Sequence, residues 1–139
     1  MPPESRGARI LMVDDRAENL LALEAILHGL GHELVKASSG EEALKRLLTE
    51  DFALILLDVQ MPGMDGFETA THIKQRERTR DVPILFLTAK AMQGDRDKSV
   101  AAGASDYITK PVDTEQLMSL LRVWLYGSSG GSAMGGNGT

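Results

Sequence analysis

The stretch LILLDVQMPGMDG, residues 54–66, runs four aliphatic side chains into an aspartate and then into a turn signalled by Pro62, Gly63 and Gly66. A short continuous apolar run bounded by turn residues reads as a buried strand. Its last position, Asp58, then stands at the strand's carboxyl end. One carboxylate there is an ordinary solvated strand end. Its meaning depends on where the other apolar bursts of the chain stop.

Four further bursts read as strands: ARILMV (8–13), HELVKA (32–37), PILFL (83–87) and SDYI (105–108), with FALILL (52–57) as the third in order. Three of the five are continuously apolar, the pattern of a parallel sheet covered by helices on both faces. Helical patterns lie between them. Residues 17–30 are rich in Leu and Ala and end at Gly29 and Gly31, which predicts a glycine C-cap. SGEEALKRLL predicts a capping box, with Ser39 at the N-cap and Glu42 three residues on. Residues 65–76 and 91–102 carry weaker helical spacing. DTEQLMSLLRVWL sets Asp113 and Gln116 in the same box relation and repeats apolar residues through Leu125.

Five strands alternating with five helices, joined by right-handed crossovers, predict an α/β fold with a doubly wound parallel sheet. No G-x-G-x-x-G follows the first strand, so a dinucleotide-binding fold loses its main support. The flavodoxin-like (βα)5 arrangement, strand order 2-1-3-4-5, suits the count and the length of 139 residues. The folded unit is expected over residues 8–126. Residues 1–7 read as a flexible arm. GSSGGSAMGGNGT (127–139) reads as a flexible tail, a linker or an appended remnant, because it cannot bury enough surface to offset its ordering entropy. A net charge of −5 argues against a general nucleic-acid or membrane partner. The chain has no cysteine, which excludes disulfides and thiolate metal sites and fits a cytoplasmic location.

In a sheet of order 2-1-3-4-5 the strand order reverses between the first and third strands, and sites form beyond the carboxyl ends there. The first strand ends in Asp14 and Asp15, the third in Asp58. Two unit charges about 4 Å apart repel by roughly 4 kcal/mol at an effective dielectric of about 20. Either one carboxylate keeps its proton or a cation sits among them. An all-oxygen site with few protein ligands suits Mg²⁺ or Mn²⁺. The fourth strand leads into Thr88 and the fifth into Lys110, which brings a hydroxyl and an ammonium to the same edge. A cation, a lysine and a hydroxyl around one carboxylate make a cradle for a phosphoryl group, because positioning and charge neutralisation are most of what phosphoryl transfer requires.

These motifs in this order, DD, then LLDVQMPGMDG, then LTA, then DYITKP, resemble the receiver domain of two-component response regulators over about residues 8–126. The segment VDDRAENLLALEAIL is similar to receivers attached to hybrid histidine kinases. The resemblance implies phosphorelay signalling, with Asp58 as phosphoacceptor from a phosphohistidine. It implies Mg²⁺ bound by Asp15 directly, by Asp14 through water, by Asp58 and by the backbone carbonyl of Gln60. It implies Lys110 and Thr88 on the phosphoryl oxygens, Tyr107 as an aromatic switch, and a cis bond before Pro111 that directs the lysine to the site. Gln60 and Lys90, both long and polar, are expected to affect dephosphorylation.

The implied partner is a sensor histidine kinase or histidine phosphotransfer domain, and small-molecule phosphodonors are compatible with the same site. His28, His32 and His72 share no spacing and read as structural or exposed, which leaves the donor histidine elsewhere. The first helix is apolar around much of its circumference; its excess reads either as core or as a docking face for a helical partner. The competing class is an aspartate-nucleophile phosphatase for small phosphoesters. Against it, such enzymes resemble D-x-D-x-T after the first strand, whereas here the nucleophile ends the third strand and DVQM lacks a second acid. On the receiver reading the chain is no enzyme beyond its own phosphorylation and dephosphorylation.

Overall fold

A computed structural model describes residues 7–89 and 101–127. The expectations for residues 1–6, for Lys90, for residues 91–100 of the 91–102 helix and for the tail at 128–139 lie outside the described residues. Five strands, β1 (Arg9–Val13), β2 (Glu33–Ala37), β3 (Leu54–Asp58), β4 (Ile84–Thr88) and β5 (Asp106–Thr109), form one sheet. Its order is β2-β1-β3-β4-β5 and all four pairings are parallel. Among the described residues, four α-helices accompany it: α1 (Ala17–Leu27), α2 (Gly40–Thr49), α3 (Gly66–Gln75) and α4 (Thr114–Leu121). The doubly wound flavodoxin-like sheet expected from the sequence is the one observed.

Strand alternation divides the interior in two. Leu11, Val13, Ile55, Leu57, Ile84 and Phe86 face α2 and α3, where Ala43, Leu47, Ala70 and Ile73 meet them. Ile10, Met12, Leu54, Leu56, Leu85 and Leu87 face the other way, toward Leu20, Leu23 and Leu27 of α1 and Leu117 and Leu121 of α4. Every residue of β3 and β4 is buried, which is why those strands read as unbroken apolar runs. Burial of this kind contributes roughly 25 cal/mol per Å² of apolar surface removed from water.

The helix ends follow local chemistry with some shifts. Ser39 Oγ accepts from the Glu42 N–H at 3.0 Å, as the capping box requires. The return bond differs: Glu42 reaches the Ser38 N–H at 2.7 Å and its hydroxyl at 2.8 Å, one residue before the cap. Helix α1 stops at Leu27, and Gly29 takes φ +96° just beyond. At α4 the Asp113 carboxylate accepts from Glu115 N–H at 3.3 Å. The α-helix ends at Leu121, earlier than Leu125, because the chain widens into a π-helical turn over Arg122–Gly127. Trp124 and Leu125 on that turn pack against the α1-side core.

Candidate functional site: an acidic cleft at the switch point

The site begins with three strand ends. Asp14 follows β1 and its N–H is held by the Ala37 carbonyl at 3.1 Å. Asp58 is the last residue of β3 and pairs in register with Leu87 of β4. Asp14 and Asp58 are buried, whereas Asp15 is exposed. The three offer carboxylate oxygens that all lie within 4.8 Å of one another. The convergence that the strand order predicts is therefore observed.

Lys110 follows β5 and its ammonium bridges the acids. Nζ donates to Asp58 Oδ1 at 2.6 Å and to Asp14 Oδ2 at 3.2 Å. The other Asp14 oxygen accepts from the Arg16 N–H at 2.9 Å, so both oxygens of that buried carboxylate are satisfied. Burial pushes the Asp58 carboxyl above its ordinary value; the Lys110 hydrogen bond opposes that, and the Asp14 charge and then Asp15 add to it. Burial alone would lower the Lys110 ammonium, but the hydrogen bond and charge of Asp58, with Asp14 behind, outweigh it and hold the group above its ordinary value. The peptide bond between Lys110 and Pro111 is cis.

Thr88 is buried at the end of β4, in register with Thr109 of β5. Its carbonyl accepts from the Lys110 N–H at 2.6 Å, tying the fourth strand end to the lysine's backbone. Tyr107 pairs with Phe86 across β4 and β5, half-buried against the α2/α3-side core. Gln60 is exposed and lines the cleft, which has a volume of about 740 Å³ and is walled also by Asp15, Arg16, Asn19, Met61 and Phe67. Of the histidines, His32 Nδ1 accepts from Ala8 N–H at 2.9 Å, His28 is the C-cap of α1 and His72 lies on α3. None of them lines the cleft.

Two contributors carry no sequence signal beyond a breaker or a charge. Gly66 opens α3, and its N–H donates to the Val59 carbonyl at 2.9 Å. A Cβ at Gly66 would collide with the backbone carbonyl of Asp58, so only glycine lets α3 start against that strand end. Arg16 occupies the N-cap of α1 at the cleft wall. Its proximity to the aspartate pair is legible in the sequence, but its place on the wall is not.

A five-stranded parallel sheet with clustered acids at its switch point and a lysine across them makes a site suited to holding a phosphoryl group. The family description "response regulator receiver domain" matches residues 10–122, and the chain belongs to that family. It is 39% identical over 123 residues to the sensor histidine kinase GacS of Pseudomonas protegens, covering 86% of this chain and 13% of GacS. It thus spans about an eighth of that relative's length. A solved receiver domain of a Pseudomonas aeruginosa sensor histidine kinase, with magnesium coordinated in its active-site cleft, is 36% identical with a TM-score of 0.79, covering 85% of this chain and 97% of that one. The chemotaxis protein CheY4 of Vibrio cholerae is 31% identical with a TM-score of 0.81, over 86% of this chain and 99% of that one. The chain is a receiver domain of two-component phosphorelay signalling. The phosphatase alternative finds no support among these relatives. Among the described residues no helix is long and apolar enough to cross a membrane.

Proposed function

We propose that this domain accepts one phosphoryl group on Asp58 from a phosphohistidine of a sensor kinase or phosphotransfer domain in the cytoplasm. The observation that carries the reading is the Lys110 ammonium bridging Asp58 and Asp14 beside Asp15, with oxygens of the three acids within 4.8 Å of one another. Three hard oxygen donors, with no nitrogen or sulfur among them, fit Mg²⁺ (or Mn²⁺), with Asp14, Asp15, Asp58 and the Gln60 carbonyl as its protein ligands. When bound, the ion supplies charge neutralisation for the acids and for the phosphoryl oxygens.

This chain's residues do the rest. An Asp58 carboxylate oxygen attacks phosphorus, the phosphorus–nitrogen bond breaks, and the imidazole leaves with the electron pair. Lys110 gains charge-assisted hydrogen bonds to the phosphoryl oxygens, and the Thr88 hydroxyl donates to another. The new charge and acceptors bias the loops after β4 and β5, with Tyr107 turning inward as Thr88 moves. Gln60, on the cleft wall, and Lys90 set the lifetime of the phosphoryl group. The domain runs no reaction beyond its own phosphorylation and dephosphorylation. On α1, Leu21 is 59% exposed beside Ala22 and Ala25, an apolar strip suited to a helical donor.

Incubation with Mg²⁺ and either acetyl phosphate or phosphoramidate, followed by intact mass, tests the assignment. The parent is expected to gain one phosphoryl group and Asp58→Asn none. Equal labelling of both, or steady turnover of small phosphoesters, would overturn it.

A further inference from the structure

We propose that Arg16 is a specificity-determining residue that selects small phosphodonors by the charge on their leaving group, favouring acyl phosphates. The proposal rests on Asp58 being the phosphoacceptor. Among the described residues, two cations line the cleft, Lys110 and Arg16. They stand at different depths. The Lys110 side chain is 24% exposed and the Asp58 side chain it holds 6%, whereas the Arg16 side chain is 68% exposed. Lys110 is committed to two acids at 2.6 Å and 3.2 Å. Among the described residues the Arg16 side chain makes only a long contact with Glu18, 3.8 Å, in which both side chains are exposed and which therefore holds it weakly. Its backbone is nonetheless fixed, because its N–H donates to Asp14 Oδ1 at 2.9 Å. The guanidinium thus extends from an anchored base into the solvent at the cleft wall.

In-line displacement assigns the two depths different tasks. The attacking oxygen of Asp58 and the leaving atom lie on opposite sides of phosphorus. With Asp58 at the floor, the leaving group points to the mouth, where Arg16 is. As the Asp58 oxygen bonds to phosphorus, the bond to the leaving atom breaks and that atom keeps the electron pair. From acetyl phosphate the atom is oxygen, and acetate departs with a full negative charge. From phosphoramidate it is a nitrogen already bearing its protons, and neutral ammonia departs. A guanidinium fork stabilises charge developing on oxygen and has nothing comparable to stabilise on ammonia.

Phosphorylation rates of the parent, Arg16→Ala and Arg16→Glu, followed by intact mass at one Mg²⁺ concentration, test this. With acetyl phosphate the order is expected to be parent, then Ala, then Glu, with Arg16→Ala about five-fold slower, the worth of one exposed ionic contact. With phosphoramidate, Arg16→Ala is expected to stay within about two-fold of the parent. An unchanged ratio of the two donors' rates in Arg16→Ala, or any other order with acetyl phosphate, overturns the role of Arg16. A parent that takes no phosphoryl group from either donor overturns the reading of Asp58 instead.

Discussion

The Lys110 ammonium sits 2.6 Å from Asp58 Oδ1, closing a salt bridge between the ends of β5 and β3 across 52 residues of sequence. That contact compensates a carboxylate which burial and two neighbouring acids disfavour. It is an incomplete compensation, since the Asp58 carboxyl remains above its ordinary value. The strain of gathering acids at one edge is therefore a measurable property of the fold.

Its first consequence is a pH dependence. Asp58 binds its proton more tightly folded than unfolded, so stability falls as pH rises from the ordinary value of 3.8 through the raised folded value. Below that window the acid is protonated in both states and adds no penalty. Asp58→Asn removes the charge and is expected to be more stable than the parent at neutral pH. The two should converge in acid. Urea midpoints across pH measure the difference, and a parent that gains on Asp58→Asn as pH rises through the window would contradict it. Lys110 carries the same sign in a higher window: its contribution persists below 10.5 and is lost as pH rises through its raised folded value.

The same crowding predicts metal-linked stability. A divalent ion bound only by the folded state adds about 2.7 kcal/mol when present at about 100 times its dissociation constant. Thermal unfolding of the parent should therefore move several degrees upward with Mg²⁺. Asp15→Asn removes an exposed carboxylate of the proposed metal site without disturbing the core, so its fold should persist while the Mg²⁺ response shrinks strongly. An undiminished response in Asp15→Asn would remove Asp15 from the ligand set.

Glycine substitutions separate packing from backbone strain. Gly66→Ala drives a methyl into the Asp58 carbonyl and Val59 Cα, both backbone atoms that cannot step aside. Loss of about 2 kcal/mol or more is expected, together with a weakened Mg²⁺ response as the β3 end shifts. Gly29→Ala meets no atom within 4 Å and bears only the strain of φ +96°, about 1 kcal/mol. Its Mg²⁺ response should stay intact. Denaturant unfolding of the two variants with and without Mg²⁺ checks both parts, and equal losses would refute the collision.

How far such features can be read from the chain alone follows from their range. The apolar runs of β3, β4 and β1 beyond Arg9 announce a sheet covered on both faces, and the order of the strand ends, with β5, brings Asp14, Asp15, Asp58, Thr88 and Lys110 to one edge. Those are patterns of period and sequence order. Contacts set by register are not legible. At the opposite edge, Arg9 pairs with Glu50 at 2.8 Å and Glu33 at 3.1 Å and lies over the Phe52 ring at 4.9 Å, and no spacing in the sequence forecasts it. Lys74 likewise reaches the Arg80 and Val82 carbonyls to close the turn before β4. Gly66 reads as a turn breaker, yet its function is the space it leaves for the Asp58 backbone. Glu42 satisfies Ser38 rather than the N-cap because the chain bends one residue earlier than a regular box.

The proposed coupling of Thr88 to Tyr107 gives the last prediction. Phe86 and Thr88 share one face of β4 by alternation, and Tyr107 stands opposite Phe86 on β5. Phe86 is held edge-on by Phe67, ring centres 5.2 Å apart at 78°, so the aromatic wall has little freedom to follow a moving Thr88. Tyr107 is only half-buried and stands on the sheet's edge strand. A phosphoryl mimic at Asp58 that draws the Thr88 hydroxyl toward it should therefore change the surroundings of Tyr107 more than those of Phe86. The chain has two tyrosines, 107 and 126, so fluorotyrosine NMR resolves the ring with a single assignment variant. Beryllofluoride with Mg²⁺ is expected to shift the Tyr107 resonance in the parent, to leave it unshifted in Asp58→Asn, and to shift it far less in Thr88→Ala. A Tyr107 signal that moves as much without the hydroxyl as with it would sever the link between Thr88 and the aromatic ring.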